Sequence, residues 1–219
     1  MGNKAVTQFI EIASKYVGVT ENPLGSNRGT QIDEWNKAVG VPVGSFWCAS
    51  FVSAVVRKWE AQTGLDFPTV GSASCDSWFS QAKSKGLLTR VPKPGHILLV
   101  MKSTDSSDAI HIGICGHESN GLISSIEGNS NNDGSANGTM VALRKNHLWN
   151  RSALNVWYID WSKGVKKEWV VEVNGKSLDV KVIDDTVYVP IRSVAGALDI
   201  PITTYLDEKR IVVEQKNTG

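Results

Sequence analysis

The change of hydrophobic period at Pro92-Lys93-Pro94-Gly95 constrains the fold of this chain more than any other feature of its 219 residues. Before it, apolar residues recur at helical spacing; after it, they alternate. Phe9, Ile10, Ala13, Tyr16 and Val17 mark a first helix that stops around Gly18. Phe51, Val52, Val55, Val56 and Trp59 form the stripe of a second over 46–60, with Cys48 in its N-terminal turn. A third is expected over 74–85, ended by Gly86. Residues 20–44 are rich in Gly, Asn and Pro and read as surface loop with one helical turn at 31–38. Beyond the break, strands are expected at 96–101, 110–115, 122–127, 140–144 and 155–160. Helices followed by strands joined through Gly and Asn turns predict an α+β domain with an antiparallel sheet.

With 41% hydrophobic side chains and eight tryptophans, the chain can bury one sizeable core and leave roughly 50 residues for a small second unit. The polar, basic stretch Ser162-Lys163-Gly164-Val165-Lys166-Lys167 places the boundary: a first domain over 1–162, a linker at 163–167 and a small α+β domain over 168–219. In that last segment, 169–173 and 177–182 alternate around Asn174-Gly175, a dipeptide suited to a tight hairpin. A strand at 187–189 then leads into Pro190 as the first residue of a helix ending near Leu198, and 211–214 supplies a final strand.

The 23 basic and 22 acidic residues leave a net charge of +1, which gives no electrostatic footprint for nucleic acid or an anionic membrane. No window approaches 18 uninterrupted apolar residues, and the amphipathic start lacks the pattern of a secretory leader. The expectation is synthesis in the cytoplasm without a signal peptide. Cys48, Cys75 and Cys115 are odd in number and widely spaced, which argues against both a disulfide framework and a zinc site.

Three short clusters carry candidate chemistry. In Phe46-Trp47-Cys48-Ala49-Ser50-Phe51, a cysteine in the first turn of a helix faces unsatisfied N–H groups and the positive end of the macrodipole, which favour a thiolate. Its position on the stripe with Phe51, Val52 and Val55 equally suits a core cysteine. In Ile110-His111-Ile112-Gly113-Ile114, the three isoleucines are expected to bury one face of a strand while His111 and Gly113 occupy the other, Gly113 leaving room beside the imidazole. In Ser125-Ile126-Glu127-Gly128-Asn129, Glu127 and Asn129 share the face opposite Ile126. A carboxylate or amide there would fix the tautomer of a neighbouring imidazole and free its other nitrogen to take a thiol proton.

Nucleophile, base and orienter in this order resemble the CHAP family, the cysteine- and histidine-dependent amidohydrolases and peptidases of peptidoglycan. The resemblance covers roughly residues 5–160 and rests on the Glu-Asn-Pro and Gly-Ser-Asn loop at 21–27, Trp47-Cys48, Pro94-Gly95 opening a strand, His111-Ile-Gly-Ile and Glu127-Gly128-Asn129. It implies a papain-like domain in which Cys48 is the nucleophile, His111 the general base and later acid, Glu127 the orienter and Asn129 a further polar member. Trp47 beside the nucleophile would line the substrate cleft, and Gln31 or Asn27 would supply a side-chain donor to the oxyanion. His96 stands where the family usually has an aspartate, and the aspartate-rich calcium loop of some members is missing, so no metal or cofactor is expected. The NlpC/P60 cysteine peptidases share the order of nucleophile and histidine, but their third polar residue often follows more closely than Glu127, sixteen residues beyond His111.

Residues from about 168 to 216 resemble the copper amine oxidase N-terminal-like or stalk module of Gram-positive surface proteins. The match lies in Val173-Asn174-Gly175-Lys176, in Tyr188-Val189-Pro190-Ile191-Arg192-Ser193-Val194, and in Lys209-Arg210-Ile211-Val212-Val213. No histidine lies beyond His147, so copper chemistry is not implied. Residues 164–219 hold eight basic and nine acidic side chains, a net of −1, which favours specific contacts over attraction to anionic wall polymers. Together the two resemblances imply a phage endolysin or prophage lysin whose partner is the peptidoglycan of Gram-positive bacteria. The alternatives are a bacterial autolysin and a non-catalytic wall-binding protein. His117, His147, Cys75, Cys115, Trp149, Trp157 and Trp161 are read as structural.

Overall fold

The computed structural model describes residues 3–103, 107–131, 137–145 and 156–165, and beyond them 171–173, 176–178, 181–183, 186–199, 202–205 and 210–213. The chain divides into two compact units at 166/167. The first begins with four helices, α1 (Asn3–Ser14), α2 (Thr30–Ala38), α3 (Cys48–Thr63) and α4 (Cys75–Ser84). Strands follow: β1 (Leu88–Thr89), β2 (Ile97–Met101), β3 (Ala109–Ser119), β4 (Leu122–Ser130), β5 (Met140–Arg144) and β6 (Val156–Ile159). They form one sheet in the order β1-β6-β2-β3-β4-β5, with every neighbouring pair antiparallel. The unit is therefore α+β, with the helices ahead of the sheet as the change of period predicts. The two-residue β1 escapes a periodicity argument because two residues cannot display alternation.

The helix α3 positions the chemistry. It packs on β3 and β4 and is flanked by α1 and α2. Phe51, Val52, Val55, Val56 and Trp59 are buried in a core shared with Phe9, Ile97, Leu99, Ile112, Ile114 and Ile126. Along β2 the alternation divides the side chains: Ile97, Leu99 and Met101 join that core, while Leu98 and Val100 join a smaller cluster with Cys115, Ile123 and Tyr158. Trp161 belongs to the main core, its ring centroid 5.1 Å from those of Phe9 and Trp59, and its indole donates to the carbonyl of Gly95 at 2.6 Å. Trp157 lies under the Arg90 guanidinium, 3.6 Å from the ring centre. Trp149 and His147 lie outside the described residues.

One expectation about β3 requires correction. Ile110 is 46% exposed, whereas Ile112 and Ile114 are fully buried. The pairing with β2 slips between Val100 and Met101, so that Met101 opposes Ala109 and Ala109 takes the core position.

Gly128 sets how closely the sheet approaches the helix. A methyl group there would stand 2.7 Å from Phe51 Cβ and 2.9 Å from Trp47 Cζ3, closer than carbon atoms pack. Gly128→Ala is expected to destabilise the first unit by about 1–3 kcal/mol through overpacking, visible as a lowered melting temperature. An unchanged transition would show that the helix yields at no cost.

In the second unit, β7 (Val171–Val173) pairs with β8 (Lys176–Leu178), β9 (Lys181–Ile183) with β10 (Thr186–Tyr188), and β11 (Ile202–Tyr205) with β12 (Arg210–Val213), all antiparallel. The segment 177–182, read from its alternation as one strand, is two: β8 pairs back onto β7 and β9 forward onto β10. The Asn174-Gly175 turn lies outside the described residues. A helix, α5 (Ile191–Leu198), follows Pro190, which stands just before the helix rather than inside it. Among the described residues no helix is long and apolar enough to cross a membrane.

Candidate active site

Cys48 opens α3 as its first residue, following Trp47. The residue is 8% exposed, and its thiol sits at the helix's unsatisfied amides, where a negative charge is favoured. Trp47 itself is fully buried, held between Trp35 and Gly128 with its indole donating to Glu21 Oε1 at 2.9 Å. Trp47 therefore has no surface to offer a substrate; it braces the start of α3. The aromatic beside the nucleophile that does face solvent is Phe46, 64% exposed.

From β3, the His111 imidazole is buried, and its Nε2 lies 3.0 Å from Glu127 Oε2 on β4. Gly113 makes this contact possible: a Cβ there would stand 2.6 Å from Glu127 Cγ, so the glycine clears the path of the carboxylate rather than of the imidazole. Glu127 is held from several sides. Arg144 Nη1 approaches Oε2 at 3.0 Å, the Ser125 hydroxyl donates to Oε1, and the Ser130 hydroxyl donates to Oε2 at 3.4 Å. Neither Arg144 nor Ser125 was assigned a place at the site from sequence. The arginine at the end of an otherwise apolar strand was the available signal.

His111 Nδ1 is buried without a hydrogen-bond partner. With Nε2 engaged by Glu127, Nδ1 is the nitrogen left for the thiol. The Cys48 thiol is acidified well below its usual range. A hydrogen bond with Cys75 contributes most, burial opposes it, and the neighbouring His111 and the Ile112 amide lower it further. For His111, burial favours the neutral ring, but Cys48 and Glu127 outweigh it and raise the pKa to about 9. Burial acts against the Glu127 charge too, yet His111, Arg144 and Ser125 hold its pKa well below the usual carboxylate value. Both shifts favour a thiolate beside an imidazolium.

Loop residues complete the surroundings. Asn129, with a positive φ of 50°, donates through Nδ2 to Asn27 Oδ1 at 2.8 Å and ties the loop at 21–29 to the end of β4. Asn129 Oδ1 is buried without a partner. The structure does not bring Gln31 to this group: it bonds Glu34 at 3.0 Å and lines a surface depression with Tyr16, Trp35 and Arg57. A further residue that sequence reasoning missed is Cys75, the first of α4, whose Sγ is 3.8 Å from that of Cys48.

No known protein family, curated protein or solved structure matches the chain. Among the described residues no three His, Cys, Asp or Glu side chains converge as a metal site. His96, at the position after Pro94-Gly95, is buried with Nε2 3.5 Å from Asp160 Oδ1; burial lowers its pKa although Asp160 opposes this. His117 is exposed, and Cys115 is fully buried with its thiol pushed up by burial and by Glu127.

These shifts predict a pH profile. The stability His111 contributes is complete below its ordinary value of 6.5 and is lost as pH rises through about 9. The lowered Cys48 thiol acts with the opposite sign. Glu127 contributes stability above its ordinary 4.5 that is lost as pH falls below it. The melting temperature of the first unit is expected to decline more steeply below about pH 4.5 in the wild type than in Glu127→Gln. Parallel acid limbs would contradict the buried ion pair.

Proposed function

We propose that the chain is a CHAP-type peptidoglycan hydrolase, an endolysin-like enzyme that cuts an amide bond of the Gram-positive cell wall through a thioester on Cys48. The observation that carries this reading is the Cys48–His111–Glu127 arrangement, with Nε2 fixed by Glu127 and Nδ1 unpartnered. A helix with the nucleophile at its start, packed on an antiparallel sheet that supplies base and orienter, is also the arrangement the resemblance to papain-like CHAP domains implies.

In this mechanism Cys48 Sγ attacks the carbonyl carbon of a lactyl or peptide amide. The developing oxyanion is met by the Cys48 backbone N–H, which the helix leaves free, with Asn27 the remaining side-chain candidate because Gln31 is engaged by Glu34. His111 gives its Nδ1 proton to the leaving amine nitrogen, and the C–N bond breaks. Water then enters, His111 takes a proton from it, and hydroxide attack on the thioester restores the thiolate and releases a carboxylate. The small second unit, by its resemblance to stalk modules, tethers the catalyst to the wall. N-acetylmuramoyl-L-alanine amidase and stem or cross-bridge endopeptidase activities both fit this chemistry.

The reading is tested by adding the full chain to purified Gram-positive walls of several cross-bridge types. Turbidity is expected to fall, with new free amino groups and no new reducing sugar ends. New reducing ends, or no change on any wall, would overturn it.

A further inference from the structure

The proposed hydrolysis gives Cys75 no covalent role. Cys75 Sγ lies 3.8 Å from Cys48 Sγ, close to van der Waals contact, and both are free thiols. The approach is built by several contacts. The Ser53 hydroxyl on α3 donates to the carbonyl of Ser72 and accepts from the Ser72 amide, both at 2.9 Å. Gly71 lies against the same serine, where a Cβ would stand 3.1 Å away. The Trp78 indole donates back to the Ser72 carbonyl at 3.0 Å. Ser74 caps α4 by accepting from the Ser77 amide, and Asp76 accepts from the Ala109 amide at 2.6 Å, which pins the first turn of α4 to the start of the strand bearing His111. Cys75, at the first position of that pinned turn, is half-buried, so small oxidants and reductants can reach the pair.

We infer that Cys48 and Cys75 form a redox pair, in which a hydroperoxide oxidises Cys48 and Cys75 resolves it as an intramolecular disulfide that reversibly removes the nucleophile. The Cys48 thiolate attacks the peroxide O–O bond, giving a sulfenic acid and an alkoxide or hydroxide that takes a proton from the His111 imidazolium. Cys75 sulfur then displaces the sulfenic oxygen, which leaves as water with the Cys75 proton. Two thiols lose two electrons and two protons in all, and one hydroperoxide is reduced. The sulfurs must close from 3.8 Å to the roughly 2.05 Å of a disulfide, a distance that side-chain rotation spans. The hydrogen bond with Cys48, burial and the adjacent Cys48 charge together hold the Cys75 thiol above its usual range, and conversion of that thiolate to a neutral sulfenic acid removes the part due to the charge. Cys115 is excluded as resolving thiol by its burial in the separate cluster with Leu98, Val100 and Tyr158. The inference rests on the same thiolate as the hydrolase reading but not on the wall as substrate.

The test exposes the reduced full-length protein to a small excess of hydrogen peroxide, blocks remaining thiols under denaturing conditions, and maps the peptides by mass spectrometry. The expected product is a linked Cys48–Cys75 peptide that dithiothreitol separates. In Cys75→Ser, Cys48 is expected to run on to sulfinic acid instead. Sulfinic Cys48 forming equally fast in both proteins without a linked peptide, or a link to Cys115, would overturn the pair. Wild type alone gives the decisive peptide should the variant fail to fold. Wall lysis measured in dithiothreitol separates the two claims: a linked peptide without lysis sinks only the hydrolase, and lysis without a linked peptide sinks only the redox pair.

Discussion

His111→Ala is expected to slow wall hydrolysis by about 10²- to 10⁴-fold, the range for removal of a positioned acid–base group. The loss has two sources. Proton delivery to the leaving amine ends, and Cys48 is deprived of the neighbouring imidazolium that helps keep it ionised while the burial opposing ionisation stays. Alkylation of Cys48 by iodoacetamide, followed across pH, separates them: its midpoint is expected to move up in the variant. A hydrolysis rate within a few-fold of wild type, with an unmoved midpoint, would remove His111 from the mechanism.

Glu127→Ala is expected to have the largest effect on stability. The carboxylate is 1% exposed and accepts from His111, Ser125, Ser130 and Arg144. Its removal takes away the carboxylate that the buried Arg144 guanidinium approaches at 3.0 Å. Breaking a buried pair in this way costs about 3–5 kcal/mol, or roughly 6 to 20 °C in the melting temperature of a domain of this size. Glu127→Gln keeps the shape and part of the hydrogen bonding and is expected to lose less stability while still releasing the imidazole from its fixed tautomer. A melting temperature for Glu127→Ala near that of wild type would show that the carboxylate is not the centre of the network.

How much of this was legible in the sequence depends on whether a residue's partner is local. Cys48 reads as a helix-start cysteine because the stripe from Phe51 to Trp59 fixes the helix that follows it. His111 and Glu127 read as facing residues because strand alternation sets each against its isoleucine neighbours, and one antiparallel step joins the strands. What lay beyond reach were contacts set by long-range packing. The loop before Cys75 is fastened to α3 through Ser53, nineteen residues away, and no local period announces it. Trp47 looked like a cleft residue by adjacency to Cys48, but the close approach permitted by Gly128 turns its ring inward. Ile110 lost its core position to a register slip, which alternation cannot foresee. Gln31 suits an oxyanion donor by residue type alone; its helix directs it to Glu34.

The most direct test of the central claim is a side-by-side digestion of purified Gram-positive walls by wild type and Cys48→Ala, with the released fragments identified by mass spectrometry. Wild type alone is expected to release fragments, each new end a carboxylate matched by a free amine at one amide bond of the wall, and that bond names the activity. Equal release by Cys48→Ala would contradict the thiolate mechanism.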